Sequence, residues 1–310
     1  MAHLPGRRGR RALTRLATAA ITTLLAGSIG APHALATPSA GPAPASSPSS
    51  ASSAVAAAPT SGTVPPQAPQ FPLTAVDGPG DVHVYWPDGR GGLKPREFVL
   101  GGWQTHRAAT HVDHDRDGLA EGAYGQRADG RLFYVTEAGE RLLEGRWGQY
   151  DQLLSPGDLG GTPEAEVVAR DPRGVLWLFS ARADATLRPR IEVGPGWNAY
   201  TQIAGLGDLT GDLAPDVVAR DRTGMLWLYE GTGDLEKPFS RRVGIGWGWN
   251  RYNLLTSIGD LDRDGHSDLL ARDRAGALWL HKGTGRAEAP FAHRTRVGDS
   301  AHWNQYRLLF

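Results

Sequence analysis

The sequence predicts an all-β fold over residues 71–310, a five-bladed β-propeller whose N- and C-terminal strands share one blade. Three observations lead there. A tetrapeptide recurs as Leu176-Trp177-Leu178-Phe179, Leu226-Trp227-Leu228-Tyr229 and Leu278-Trp279-Leu280-His281, with tryptophan spacings of 50 and 52. An acidic hairpin with alternating aspartates recurs ahead of it. The two ends of the domain carry complementary halves of one repeat.

In chain order, the first element is not part of that domain. Arg7, Arg8, Arg10, Arg11 and Arg15 precede a mildly apolar run, and Ala34-Leu35-Ala36 closes it. This is the pattern of an export signal over residues 1–36, taking the general secretory or the twin-arginine route. The run is short and diluted by Thr and Gly for a transmembrane anchor, so no anchor is expected after cleavage. Residues 37–70 are almost all Ala, Pro, Ser, Thr and Gly, and read as a disordered linker. The expected product is secreted.

The chain has 33 basic and 33 acidic residues, but five of the basic ones lie in the signal. The remainder is mildly acidic and shows no basic stripe, which argues against nucleic acid as a partner. It has no cysteine, so an exported fold must be held by packing and metal rather than disulfides.

Within the domain each repeat reads as four short strands, placed in the best copy near 252–258, 267–272, 277–281 and 293–297. Ala169-Arg170-Asp171, Ala219-Arg220-Asp221 and Ala271-Arg272-Asp273 precede the tetrapeptides. Trp197-Asn198-Ala199-Tyr200, Trp249-Asn250-Arg251-Tyr252 and Trp303-Asn304-Gln305-Tyr306 follow them. Looser copies run through Leu132-Phe133-Tyr134 to Trp147, and through Val82-His83-Val84-Tyr85 to Trp103. Leu73–Trp86 aligns without a gap on Leu269–Lys282, so the domain begins at a second strand. It ends at Tyr306–Phe310, a first strand with no second. Joining them closes the fifth blade and leaves no open sheet edge.

The hairpin between first and second strands carries the chemistry. Asp260, Asp262, Asp264 and Asp268 stand at positions 1, 3, 5 and 9, with Gly265 at 6 and His266 at 7 offering its carbonyl. Alternating carboxylates on a tight turn repel one another unless a hard cation sits between them, and Ca²⁺ suits such oxygen donors. Asp113, Asp115, Asp117, Leu119 and Glu121 repeat the pattern, with Glu at the ninth position. Asp208, Asp212 and Asp216 keep three carboxylates but have Leu213 where glycine belongs. Asp158, Thr162 and Glu166 keep too little, and that loop is expected to be empty. Position 12 is Ala271 rather than the Glu of an EF-hand, and strands rather than helices flank the loop.

The Asp-x-Asp-x-Asp-Gly-x-x-Asp hairpin followed by an apolar strand resembles the FG-GAP/VCBS repeats of integrin α-chain-like propellers. Asp260–Asp268 matches that motif fully and Asp113–Glu121 nearly so, while Ala271-Arg272-Asp273 stands where integrins carry Gly-Ala-Pro. Integrin propellers have seven blades. Five blades with a Gly-Trp-Asn-x-Tyr pattern look more like tachylectin-type lectins. The resemblance implies the fold and calcium, and a ligand only weakly.

Antiparallel order puts the acidic hairpins on one face of the ring. The Trp-Asn-x-Tyr connections lie on the other, as a ring of Trp103, Trp147, Trp197, Trp249 and Trp303. Trp197 with Asn198, Trp249 with Asn250 and Trp303 with Asn304 suit a sugar, the indole covering C–H faces and the amide bonding hydroxyls. The competing reading is that these indoles wedge between blades, as expected for Trp177, Trp227 and Trp279 inside the third strands. The expectation is a non-catalytic calcium-stabilised module for a glycan or a cell-surface partner, with a protein-adhesion or structural scaffold as the alternative. Hydrolase motifs are absent, and His106, His111 and His114 read as surface histidines.

Overall fold

A computed structural model describes residues 68–299 and 302–310. The export signal and residues 37–67 of the linker lie outside the described residues. Five antiparallel four-stranded sheets make up the described residues. Blade 1 combines β20 (Tyr306–Leu309) with β1 (Leu73–Asp77), β2 (Val82–Tyr85) and β3 (Glu97–Leu100). Blade 2 holds β4 (His106–Val112), β5 (Gly122–Arg127), β6 (Leu132–Thr136) and β7 (Gly139–Leu143). Blade 3 holds β8 (Gln152–Gly157), β9 (Glu166–Arg170), β10 (Leu176–Ser180) and β11 (Ile191–Gly194). Blade 4 holds β12 (Tyr200–Ala204), β13 (Val217–Asp221), β14 (Leu226–Tyr229) and β15 (Val243–Gly246). Blade 5 holds β16 (Tyr252–Gly259), β17 (Asp268–Asp273), β18 (Leu278–His281) and β19 (Thr295–Arg296).

The five blades and the shared closing blade are those expected. Val76 pairs with Leu308 and Ala75 with Leu309, and Thr74 and Phe310 exchange backbone bonds of 2.7 and 3.0 Å. In blade 5 the expected fourth strand contracts to two exposed residues, Thr295 and Arg296. An outermost strand has no neighbour on its far side and little to bury, so its pairing is short.

Burial follows strand position. The second strands are covered on both faces, so β9 is buried at all five residues and reads as a continuous run rather than an alternation. Apolar clusters sit between blades. One joins blades 2 and 3 through Tyr124, Leu132 and Val167, and others join blades 3 and 4, 4 and 5, and 5 and 1. The junction of blades 1 and 2 is aromatic instead. Trp103 stacks on His106 at 4.1 Å and on Phe310 at 5.9 Å. Thr74 Oγ1 lies 2.8 Å from His111 Nε2. His106 is therefore buried, at 1% exposure, and not the surface histidine expected. Burial pushes both His106 and His111 down to about 4.

Pro69 and Gln70, expected in the linker, are bound into the ring. The Pro69 carbonyl accepts from Asp260 N at 2.6 Å, and Gln70 N donates to Gly118 O at 2.8 Å. The entering chain thus bridges the two full acidic hairpins. Among the described residues no helix is long and apolar enough to cross a membrane.

Candidate functional site

The acidic hairpins connect first to second strands and gather on one face. Their conformation follows from the carboxylates. In the 113–121 loop Asp113 Oδ1 accepts Arg116 N at 2.6 Å and Oδ2 accepts Gly118 N at 2.8 Å. Asp260 repeats this with Arg263 N at 2.6 Å and Gly265 N at 2.9 Å. Such bonding folds the turn through two left-handed residues, Arg116 (φ 64°) and Gly118 (φ 87°) in one loop, Arg263 (φ 64°) and Gly265 (φ 93°) in the other.

Two groups converge among the described residues. Carboxylate oxygens of Asp113, Asp115, Asp117 and Glu121 lie within 4.8 Å of one another, as do those of Asp260, Asp262 and Asp268. Asp264, expected as a ligand, is outside the second group. Its Oδ1 accepts His266 N at 3.0 Å, as Asp117 Oδ1 accepts Leu119 N at 2.8 Å in the first loop. The His266 imidazole packs towards Gly285. Burial pushes Asp113 up to about 6, and Glu121 and Asp268 up to about 7. Burial raises Asp260 as well. Groups so disposed want a proton or a cation. Asp262 tests the fit: its side chain is 5% exposed, and its Oδ1 is buried with no partner. An unpartnered buried carboxylate oxygen beside two others is what a divalent ion would satisfy.

The weaker loops differ for visible reasons. In the 208–216 loop Thr210 stands at the third position in place of a carboxylate; Asp208 accepts three backbone donors, as Asp260 does, and Asp212 accepts Ala214 N, but these carboxylates do not form a converging group with Asp216. Asp216 is bonded to Leu209 N and Gly231 N, both within 2.9 Å. Leu213 takes φ 73° where the full loops have glycine. In the 158–166 loop Thr162 donates to Glu166, and Arg116 of the preceding blade reaches Asp158 at 2.7 Å. There a guanidinium pairs with the first carboxylate of the loop.

On the opposite face, the Trp-Asn-x-Tyr segments form single 3-10 turns. Trp197 N donates to Gly174 O and Trp249 N to Gly224 O, tying each segment to the preceding blade's turn. The indoles do not form an open ring. Trp197 and Trp303 are buried, Trp249 half-buried, and Trp103 and Trp147 buried. Each of the last four in the chain packs on the end of a third strand in the next blade: Trp147 on Phe179, Trp197 on Tyr229, Trp249 on His281, and Trp303 on Tyr85, at 4.4–4.7 Å. The wedge reading holds for these side chains, because a blade junction needs large apolar fillers at the same point in each repeat. Asn198, Asn250 and Asn304 remain exposed. Asn304 is engaged with Arg274 O at 3.0 Å.

Three features escaped the repeat pattern. Trp247 is 71% exposed, the one open indole among ten tryptophans. It sits off the repeat between Gly246 and Gly248, and that offset was its only signal. A cleft of about 750 Å³ opens beside the 113–121 loop, between blades 2 and 3, lined by Asp115, Glu121, Tyr134, Arg141, Glu164 and Asp184. Lys282 pairs with Asp262, from twenty residues downstream.

Residues 208–271 match the model of the FG-GAP-like repeat family. The match is confined to that stretch. It spans the 208–216 loop, β13, β14 and the 260–268 loop. No curated protein matches the chain. Among solved structures, similarity is found to the BP39L lectin from Burkholderia pseudomallei, at 14% identity over 76% of this chain and 71% of that one, TM-score 0.44. A triple arginine-to-alanine mutant of AofleA from Arthrobotrys oligospora is similar at 12% identity over 75% and 73%, TM-score 0.42. BBS1N in complex with ARL6DN is similar at 13% over 73% and 64%, TM-score 0.40.

Proposed function

We propose that this FG-GAP-like propeller is a secreted, calcium-stabilised and non-catalytic binding module whose ligand is a glycan on a surface or in solution. The observation that supports it is Trp247, a solvent-facing indole in the same connection as the exposed Asn250. An open indole has no packing role to account for it, and aromatic faces with nearby amides are suited to sugar C–H faces and hydroxyls. The contact residue of this face is then Trp247, with Asn250 and Asn198 beside the wedges rather than the wedges themselves. Calcium would be held by Asp113, Asp115, Asp117 and Glu121, and by Asp260, Asp262 and Asp268, where it supplies the positive charge that lets these carboxylates lie together. The export-signal pattern of residues 1–36 supports secretion.

A glycan array probed in calcium tests the reading. Binding that falls at least tenfold for Trp247→Ala, with an unchanged melting curve, is the expected result. Equal signals for the two proteins would reject the indole as the contact. A protein partner is the second reading, favoured by the acid-lined cleft between blades 2 and 3, whose volume is in the range of ligand sites. Capture of a surface protein by the parent chain but not by a Tyr134→Ala, Glu164→Ala double variant would favour it over the first.

A further inference from the structure

We propose that Lys282 is a built-in competitor for the cation of the 260–268 loop, and that it sets the divalent affinity of that loop below that of the 113–121 loop. The proposal rests on the calcium reading of the hairpins.

Asp262 occupies the third position of its loop and belongs to the converging group. Its two oxygens are used unequally: Oδ2 pairs with Lys282 Nζ, while Oδ1 is buried without a partner. The ammonium therefore satisfies half of a carboxylate that an ion would otherwise take. The 113–121 loop has no such occupant. Among the described residues no basic side chain forms an ion pair with Asp113, Asp115, Asp117 or Glu121, and Arg116 points away to Asp158. Lys282 follows the third strand by one residue, and the matching points in blades 2, 3 and 4 are Thr136, Ser180 and Glu230. Blade 5 alone among these places a cation there.

The backbone anchors this competitor beside its target. Gly283 N donates to Asp268 Oδ1 at 2.8 Å, so the lysine stem starts at the rim of the acid group. A tethered ammonium acts at an effective concentration in the millimolar range or above. Blade 1 seals one side. A Cβ at Gly91 would meet Leu280 at 2.9 Å, Asp262 at 3.8 Å and Lys282 at 4.0 Å, which leaves little room for water around the pair. The lysine side chain is still 39% exposed, so the head can swing to solvent when a doubly charged ion arrives. The ion must break the pair, and it then sits near a displaced positive charge; both effects weaken binding.

The test is a calorimetric Ca²⁺ titration of the whole chain carrying Asp115→Asn, which disables the 113–121 loop and leaves the 260–268 loop to be read. Adding Lys282→Met, which keeps the apolar stem and removes the charge, should raise the affinity about tenfold. Adding Lys282→Arg should leave it near the parent value. A calcium-induced rise in melting temperature, measured on the same three proteins, should follow the same order. If the unaltered chain takes up no calcium at all, the calcium reading falls and this proposal with it. If it takes up calcium and Lys282→Met changes neither affinity nor melting shift, only the role given to Lys282 is overturned.

Discussion

Arg170, Arg220 and Arg272 perform one task in three blades. Each reaches across a junction to two carbonyls of the next Trp-Asn-x-Tyr turn: Arg170 to Trp197 O at 3.1 Å and Tyr200 O at 2.7 Å, with Arg220 and Arg272 repeating the bonds. The aspartate that follows holds the indole of the third strand, as Asp221 does with Trp227 Nε1 at 2.9 Å. Where blade 2 lacks the arginine, Gln126 reaches the same carbonyls of Trp147 and Tyr150. Where blade 1 lacks it, Arg307 supplies bonds to Trp103 and His106 from the first strand. The repeated Ala-Arg-Asp was plain in the sequence, but its purpose was not, because the partners lie about thirty residues away in the neighbouring blade. Arg220→Met would strand two carbonyls at a buried point, and should lower stability by about 3 kcal/mol in urea titration. Protonation belongs to the same scale. Without an ion, Asp113 is raised to about 6 and Glu121 and Asp268 to about 7. The native state then holds more protons than the unfolded chain between roughly pH 4 and 7, so these groups disfavour the fold as pH rises through that window, fully above it. Calcium takes only the deprotonated form. The rise in melting temperature on adding calcium to chelated protein should therefore be large at pH 7.5 and shrink towards pH 5.5. Equal rises at both would mean that the ion does not meet these carboxylates.

At the scale of the element, the hairpin is a device for placing carboxylates, and its quality can be ranked. The spacing of acids was readable, and so was the poverty of the 158–166 loop. That Asp264 stands outside the converging group of its loop while Asp117 stands inside its own was not, since a position in a motif does not say where each side chain turns. Leu213 shows the cost of a missing glycine. It holds φ 73° and is 67% exposed, so little packing offsets the conformation. A leucine in that region is strained by about 1–2 kcal/mol, part of which glycine returns as unfolded-chain entropy. Leu213→Gly should raise the melting temperature by about 2 °C, and a fall would show that the leucine makes a contact worth more than the strain. The tryptophan segments teach a complementary point. Their period and their face were evident, yet burial at a junction depends on what the next blade brings, and Phe179, Tyr229, His281 and Tyr85 are separated from their indoles by about thirty residues or, at closure, by nearly the whole domain.

For the whole molecule, closure is the decisive contact. The half-repeats at the two ends were sufficient to predict it, because a strand without a partner on each side leaves two edges that fit one another. Tyr306, Leu309 and Phe310 are all buried, and Tyr306 Oη lies 2.6 Å from Tyr85 Oη. Deleting residues 306–310 removes these fillers and bares the β1 edge, so the truncated chain should lose its single cooperative melt and associate, as seen by size-exclusion chromatography. A sharp melt with monomeric elution would show that four blades hold without the latch.

The lead-in at Pro69 and Gln70 has a consequence for how the ring is divided. Pro69 and Gln70 bring the described chain in against the acidic hairpins, whereas Trp247 belongs to a connection between a fourth and a first strand, at the other end of the strands, so the two termini of each blade's strands are put to separate uses.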